Sequence, residues 1–127
     1  MVESFGRTPL PILIIAAATM LSLSTPAAAQ EEPSAATISA AVSDHTYQGS
    51  MSEAGSGFGE YYAPDGSIRG DGYSGTWRTE DGAMCFKYGD KPESCFNIRI
   101  NGPSMVMLKE GEIRGNGMLI PGNPNDF

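Results

Sequence analysis

Histidine, cysteine, basic residues and helical periodicity are what this chain has least of, and each scarcity narrows its chemistry. His45 is the only histidine in 127 residues, and Cys85 and Cys95 are the only cysteines. Once the two cysteines are assigned to each other, no Ser-His-Asp or Cys-His set can be specified, so an activated nucleophile is not expected. Eight Lys and Arg stand against fifteen Asp and Glu, for a formal charge of −7. A chain this acidic suits neither nucleic acid nor an anionic lipid surface. A cationic ligand or a basic protein fits better, although an acidic surface also serves solubility alone.

The first thirty residues are built differently from the rest. Arg7 lies in a short polar start, and Pro9 to Leu23 is almost entirely apolar. That pattern is expected of a signal peptide. Ala27-Ala28-Ala29 supplies the small residues of a cleavage site, so residues 1–29 are expected to be removed and the mature chain to begin at or near Gln30. The apolar stretch is shorter than the roughly 20 residues a bilayer span needs, and Pro26 interrupts its end, so no membrane span is expected after cleavage. With no cysteine behind the apolar segment, a lipoprotein is not expected either. Removing Glu3 and Arg7 with the leader leaves fourteen acidic and seven basic residues, so the mature domain keeps the −7 charge.

Residues 30–42 begin rich in Glu, Ala, Ser and Pro and read as a flexible leader, with one helical turn over Thr37 to Val42. A single domain is then expected over residues 43–127. Turn signals recur along it, among them Pro64-Asp65-Gly66, Asp71-Gly72, Asp81-Gly82, Gly89-Asp90 and Asn101-Gly102, and they separate short runs of aromatic and β-branched residues. These runs predict strands at Thr46–Met51, Gly57–Ala63, Ser67–Asp71, Tyr73–Thr79, Ala83–Tyr88, Ser94–Ile100, Met105–Lys109 and Glu112–Ile120. The expected fold is therefore all-β: an antiparallel meander of about seven to eight short strands forming a small barrel or open sandwich.

Alternation is clearest in the middle hairpin. Met84, Phe86 and Tyr88 share a face with Phe96, Ile98 and Ile100, which leaves Cys85 and Cys95 on the more polar face. If Cys85 faces Cys95, a loop of about three residues around Asp90 closes the hairpin. The disulfide is then a staple, and closing a ring of about 11 residues is worth roughly 3 kcal/mol in the chain-entropy model.

Two glycine patterns invite functional readings. Gly70-Asp71-Gly72-Tyr73-Ser74-Gly75 satisfies the spacing of a dinucleotide fingerprint, but such a loop needs a helix after it, and here strands flank both sides. No nucleotide or other cofactor is expected. Gly66-Ser-Ile-Arg-Gly-Asp-Gly72 recurs as Gly111-Glu-Ile-Arg-Gly-Asn-Gly117, five identities in seven. This echo is expected to reflect two hairpins reusing one turn-plus-strand solution, with a duplicated binding element presenting Arg69 and Arg114 as the alternative. The embedded Arg69-Gly70-Asp71 becomes Arg-Gly-Asn in the second copy and so loses its carboxylate.

The remaining candidates are few. Glu60, Asp65, Asp71, Glu80 and Asp81 are carboxylates available in principle for acid-base work, though most fall in turns. Met105 and Met107 alternate with Val106 and Leu108 and could offer thioethers near Met118, a sparse set from which no metal site is expected. Among the dense aromatics, Trp77 and Tyr73 share a parity, with Gly75 between them, and are expected to face inward. Of Tyr61 and Tyr62 one must face outward, and it becomes a surface-contact candidate beside Arg69 and Arg114.

Tyr61-Tyr62-Ala63-Pro64-Asp65-Gly66, Gly75-Thr76-Trp77, Asp81-Gly82-Ala83-Met84-Cys85-Phe86 and Cys95 together resemble a family of small exported alphaproteobacterial proteins that carry a domain of unknown function. The resemblance covers most of the mature chain; it implies export, the fold and the disulfide, and no activity. Ser56-Gly57-Phe58-Gly59-Glu60-Tyr61 is more loosely similar to the Ser-Gly-x-x-Tyr element of periplasmic lysozyme inhibitors, with the tyrosine one position later. The expectation is thus a periplasmic or secreted, non-catalytic domain that binds a ligand or an envelope partner. The alternatives are an acidic inhibitor of a basic hydrolase and a small carboxylate-dependent enzyme.

Overall fold

The computed structural model describes residues 32–51 and 57–127, together with Gly6, Pro11 and Ala18 as isolated positions. The expected signal peptide and its cleavage site lie outside the described residues. One helix, α1 (Ala35–Val42), precedes eight strands: β1 (His45–Met51), β2 (Gly57–Tyr62), β3 (Ser67–Gly70), β4 (Tyr73–Glu80), β5 (Ala83–Lys87), β6 (Ser94–Asn101), β7 (Ser104–Lys109) and β8 (Glu112–Pro121). Each strand lies within one residue of its expected bounds.

Every strand pairs antiparallel with the next, and β8 returns to pair with β1 from His45↔Pro121 to Met51↔Gly115, so the meander closes into a barrel. Closure removes the exposed edges that an open sandwich would keep. The closing seam holds a glycine pair, Gly49↔Gly117. A Cβ at Gly117 would stand 2.6 Å from the Gln48 carbonyl oxygen and 2.7 Å from the ring of Tyr47. The fully buried Tyr47 ring occupies the space that the two glycines leave empty, an aromatic ring covering bare backbone.

In a meander, successive connections alternate between the two ends of the barrel. Residues 63–66, 81–82 and 102–103 therefore mark one end, and residues 71–72, 88–93 and 110–111 the other. Helix α1 plugs the first end. Ser34 caps it by accepting from the Thr37 N–H at 3.1 Å, and Asp81 accepts from the Ala35 N–H at 2.9 Å. The Gly82 N–H donates to the Pro33 carbonyl at 2.7 Å, which ties the approach to the helix onto the β4–β5 turn. Ile38 and Val42, four residues apart on one face, are fully buried against a core that includes Met84, Ile98, Met105 and Leu119. The segment expected as a flexible leader with a single helical turn thus supplies two turns of helix and two core side chains.

The middle hairpin has the expected register, with Met84↔Phe96 and Cys85↔Cys95, and the two cysteines form the disulfide on the outer face. Its loop is longer than the expected three residues, because pairing stops at Phe86↔Ser94. Pro92 carries no N–H with which to extend the ladder, and the Lys91 N–H instead turns back to the Tyr88 carbonyl at 3.0 Å. A second irregularity lies in β8, where Met107 pairs Gly115 but Leu108 pairs Ile113, leaving Arg114 as the extra residue of a bulge.

Replacing both cysteines by alanine is expected to lower stability by roughly 3 kcal/mol, the ring-closure value for this loop length. Urea unfolding of the double variant beside the parent checks it, with a lower midpoint and an m-value no smaller than the parent's as the expected outcome, because the freed unfolded chain exposes at least as much surface.

Candidate functional site

Alternation along β2 sends Phe58, Glu60 and Tyr62 into the barrel, so a carboxylate stands where the pattern calls for an apolar side chain. Glu60 is only 2% exposed. Three phenols answer it. Tyr62 donates to Oε1 at 2.8 Å, Tyr73 to Oε2 at 2.7 Å, and Tyr88 to Oε1 at 2.8 Å and Oε2 at 3.1 Å. Among the described residues no lysine, arginine or histidine forms an ion pair with Glu60.

Two glycines make this convergence possible. Glu60, Gly70 and Tyr73 form one cross-strand row over β2, β3 and β4. A Cβ at Gly70 would collide with the Tyr73 ring, so the bare position on β3 is what lets that ring lie across it and reach Glu60. Gly75 does the same for Tyr88, since its Cβ would stand 2.8 Å from Cδ1 of that ring and 2.6 Å from the Lys87 carbonyl oxygen. The two rings meet edge to face at 5.9 Å between centroids. The dinucleotide-like spacing is thereby explained: Gly70 and Gly75 clear space for rings, while Gly72, at φ +77°, makes a left-handed turn.

The cluster borders a cavity of about 500 Å³ inside the barrel, toward the end opposite α1. Its walls are Met51, Phe58, Phe86, Phe96 and Met107; Glu60, Tyr73 and Tyr88 supply polar atoms, and Lys91 and Ser94 border it from the β5–β6 connection. An eight-stranded barrel has an interior wide enough either to be filled by side chains or to hold one small ligand. Among the described residues, side chains fill the α1 end and leave the other partly open.

Burial and the nearby Glu60 charge both hold the phenols in their protonated form. Tyr62, Tyr73 and Tyr88 are each pushed above the ordinary tyrosine range, first by burial and then by the neighbouring carboxylate. Tyr47 is pushed up to about 12, again by burial first and the Glu60 charge second.

The surface-contact candidates do not gather on one face. Tyr61 is the outward tyrosine, yet its hydroxyl donates to Asp44 at 2.7 Å and the Arg69 guanidinium lies 5.9 Å above its ring, leaving it only 8% exposed. Tyr62 points the other way, into the barrel. Arg114 sits in the β8 bulge with Glu112 at 3.2 Å, and β1 and β2 separate β8 from the strand that carries Arg69. The echo therefore begins alike, with Gly66 and Gly111 both in left-handed turns, and then diverges: Ile68 is buried and Ile113, beside the bulge, is exposed.

Other candidates disperse as well. Asp65 accepts from the Ser67 N–H in its own turn, Glu80 pairs with Arg78, and Asp81 holds the start of α1. Met105 and Met107 face the core whereas Met118 is exposed on the outside, so those three thioethers share no site. Trp77 faces inward as expected, with its indole N–H on the Ala63 carbonyl at 3.0 Å and its ring edge-on to Tyr62. No family model, curated protein or solved structure matches this chain.

Tyr62→Phe is expected to cost about 1.5–3 kcal/mol, because it removes a fully buried donor to a charged group. Tyr73→Phe is expected to cost less, since Tyr73 is 40% exposed and water can take the vacated position. Urea midpoints of the two variants test the order. Raised phenols also set an alkaline limit. The unfolded chain releases tyrosine protons above pH about 10 while the folded state keeps them, so stability present below that pH falls as pH rises. Phenolate absorbance followed beside circular dichroism should therefore show Tyr62, Tyr73 and Tyr88 ionising with unfolding rather than ahead of it.

Proposed function

We propose that this domain is a non-catalytic binding protein of an oxidising compartment, periplasmic or secreted, that takes a small and mainly apolar molecule into the open end of its barrel. The observation that carries the proposal is the cavity of about 500 Å³, walled by five apolar side chains and bordered by a few convergent polar atoms. Such a combination is what small-molecule sites have in common. Area removed from water along the walls would supply affinity, and the Glu60 cluster would fix orientation.

Two observations favour binding over turnover. Of the five candidate carboxylates only Glu60 lines this cavity, so the second carboxylate of an acid-base pair is not at hand among the described residues. His45 lies at the plugged end, its Nδ1 2.8 Å from the Ser43 carbonyl oxygen. The Cys85–Cys95 disulfide supports the assignment to an oxidising compartment.

Titration with Nile red, an uncharged apolar fluorophore, tests the proposal. Saturable one-site binding with a blue-shifted emission is expected, and Met107→Trp, which fills part of the cavity, is expected to weaken it by about tenfold. Emission that never saturates, or that ignores the cavity-filling variant, would overturn the reading.

A further inference from the structure

We infer that the molecule this cavity accepts presents a cationic hydrogen-bond donor, an alkylammonium group on an apolar body, to the phenol oxygens of Tyr73 and Tyr88 in front of the Glu60 carboxylate. The inference rests on the proposal that the barrel holds a small apolar ligand, and it specifies what that ligand carries at its polar end.

Donor bookkeeping is the first support. A phenol has one proton to give, and Tyr62, Tyr73 and Tyr88 all direct theirs to Glu60. A carboxylate has none to give. The cluster therefore turns only lone pairs toward an incoming molecule, and its complement is a donor. Tyr73 and Tyr88 line the cavity with Glu60, and Glu60 itself is only 2% exposed, so the donor is assigned to the phenols rather than to the carboxylate. The phenol oxygens are the contact, and the carboxylate acts through them.

Charge is the second support. Buried charges are ordinarily paired with an opposite charge, yet Glu60 has three neutral donors and forms no ion pair among the described residues. Little solvent screens it there, so an ammonium arriving in the cavity feels a stronger attraction than it would at the surface. The edge-to-face rings of Tyr73 and Tyr88 add π density that favours a cation over a neutral donor. Lys91, exposed on the β5–β6 connection, borders the same cavity and is where an anionic head group would go instead. An anionic amphiphile seated that way would leave its apolar tail against a floor of unsatisfied acceptors. An ammonium satisfies the floor.

Calorimetric titration of the disulfide-bonded mature protein with octylamine, octanol and octanoate, at neutral pH and low salt, separates the possibilities. Octylamine is protonated there, as a lysine side chain is. It is expected to bind roughly tenfold more tightly than octanol, with octanoate weakest. Glu60→Gln is expected to erase that preference, bringing the amine to the level of the alcohol. Should that variant not fold, the ranking with the parent protein still decides. Octanol equal to octylamine, or octanoate tightest, would overturn the cationic assignment while leaving the apolar-ligand proposal standing. Failure of all three probes together with Nile red would overturn both.

Discussion

A carboxylate withdrawn from water has to be met by donors, and much of this barrel is arranged around that requirement. Glu60 lies on β2, but its three partners come from β2, β4 and the β5–β6 connection, so one side chain ties together the wall from β2 to the end of β5. Two of those partners reach it only because Gly70 and Gly75 leave their rings a path. A barrel of this size is ordinarily filled by apolar side chains, and a polar cluster in its place sacrifices packing there. What it gains is a fixed array of polar atoms beside an apolar space.

The two ends of the barrel are built to different rules. At one end α1 inserts Ile38 and Val42, the β4–β5 turn clasps the helix through Asp81 and Gly82, and the core is continuous. At the other, aromatic and methionine side chains line the wall and, among the described residues, do not close over the middle. Among the described residues the one short helix is tied to the end where β1 begins.

The sequence made the strands legible because Gly, Asp, Asn and Pro mark almost every turn, and a turn residue is a local signal. The Cys85↔Cys95 register was legible for the same reason, since alternation on both sides of one hairpin leaves little freedom. The barrel's closure was not, because pairing of β1 with β8 depends on Gly49 and Gly117, residues far apart whose fit no local pattern shows. Helix α1 was legible only in part: the Ile38 and Val42 spacing is helical, but its polar surroundings argued for a leader until the barrel end supplied something to bury against. Glu60 was visible only as one carboxylate among five; the parity it shares with Phe58 and Tyr62 along β2 sets it apart only once that face of the strand is known to turn inward. Its partners could not be assigned, because a tyrosine reaching across an intervening strand depends on which glycine lies beneath the ring. That dependence is also why a glycine spacing resembling a nucleotide loop turned out to record the clearance of two side chains.

The disulfide has a consequence that concerns accuracy rather than strength. Cys85 and Cys95 immediately precede Phe86 and Phe96, two of the side chains that wall the cavity. A slip of one residue in this hairpin would turn one strand over relative to the other, so that Phe86 and Phe96 no longer shared a face and one of them left the wall for the solvent. In that frame the two sulfurs would no longer stand opposite each other. Oxidation therefore seals the correct alignment and passes over the shifted one, so the covalent bond serves as a proofreader of the wall as much as a brace for it.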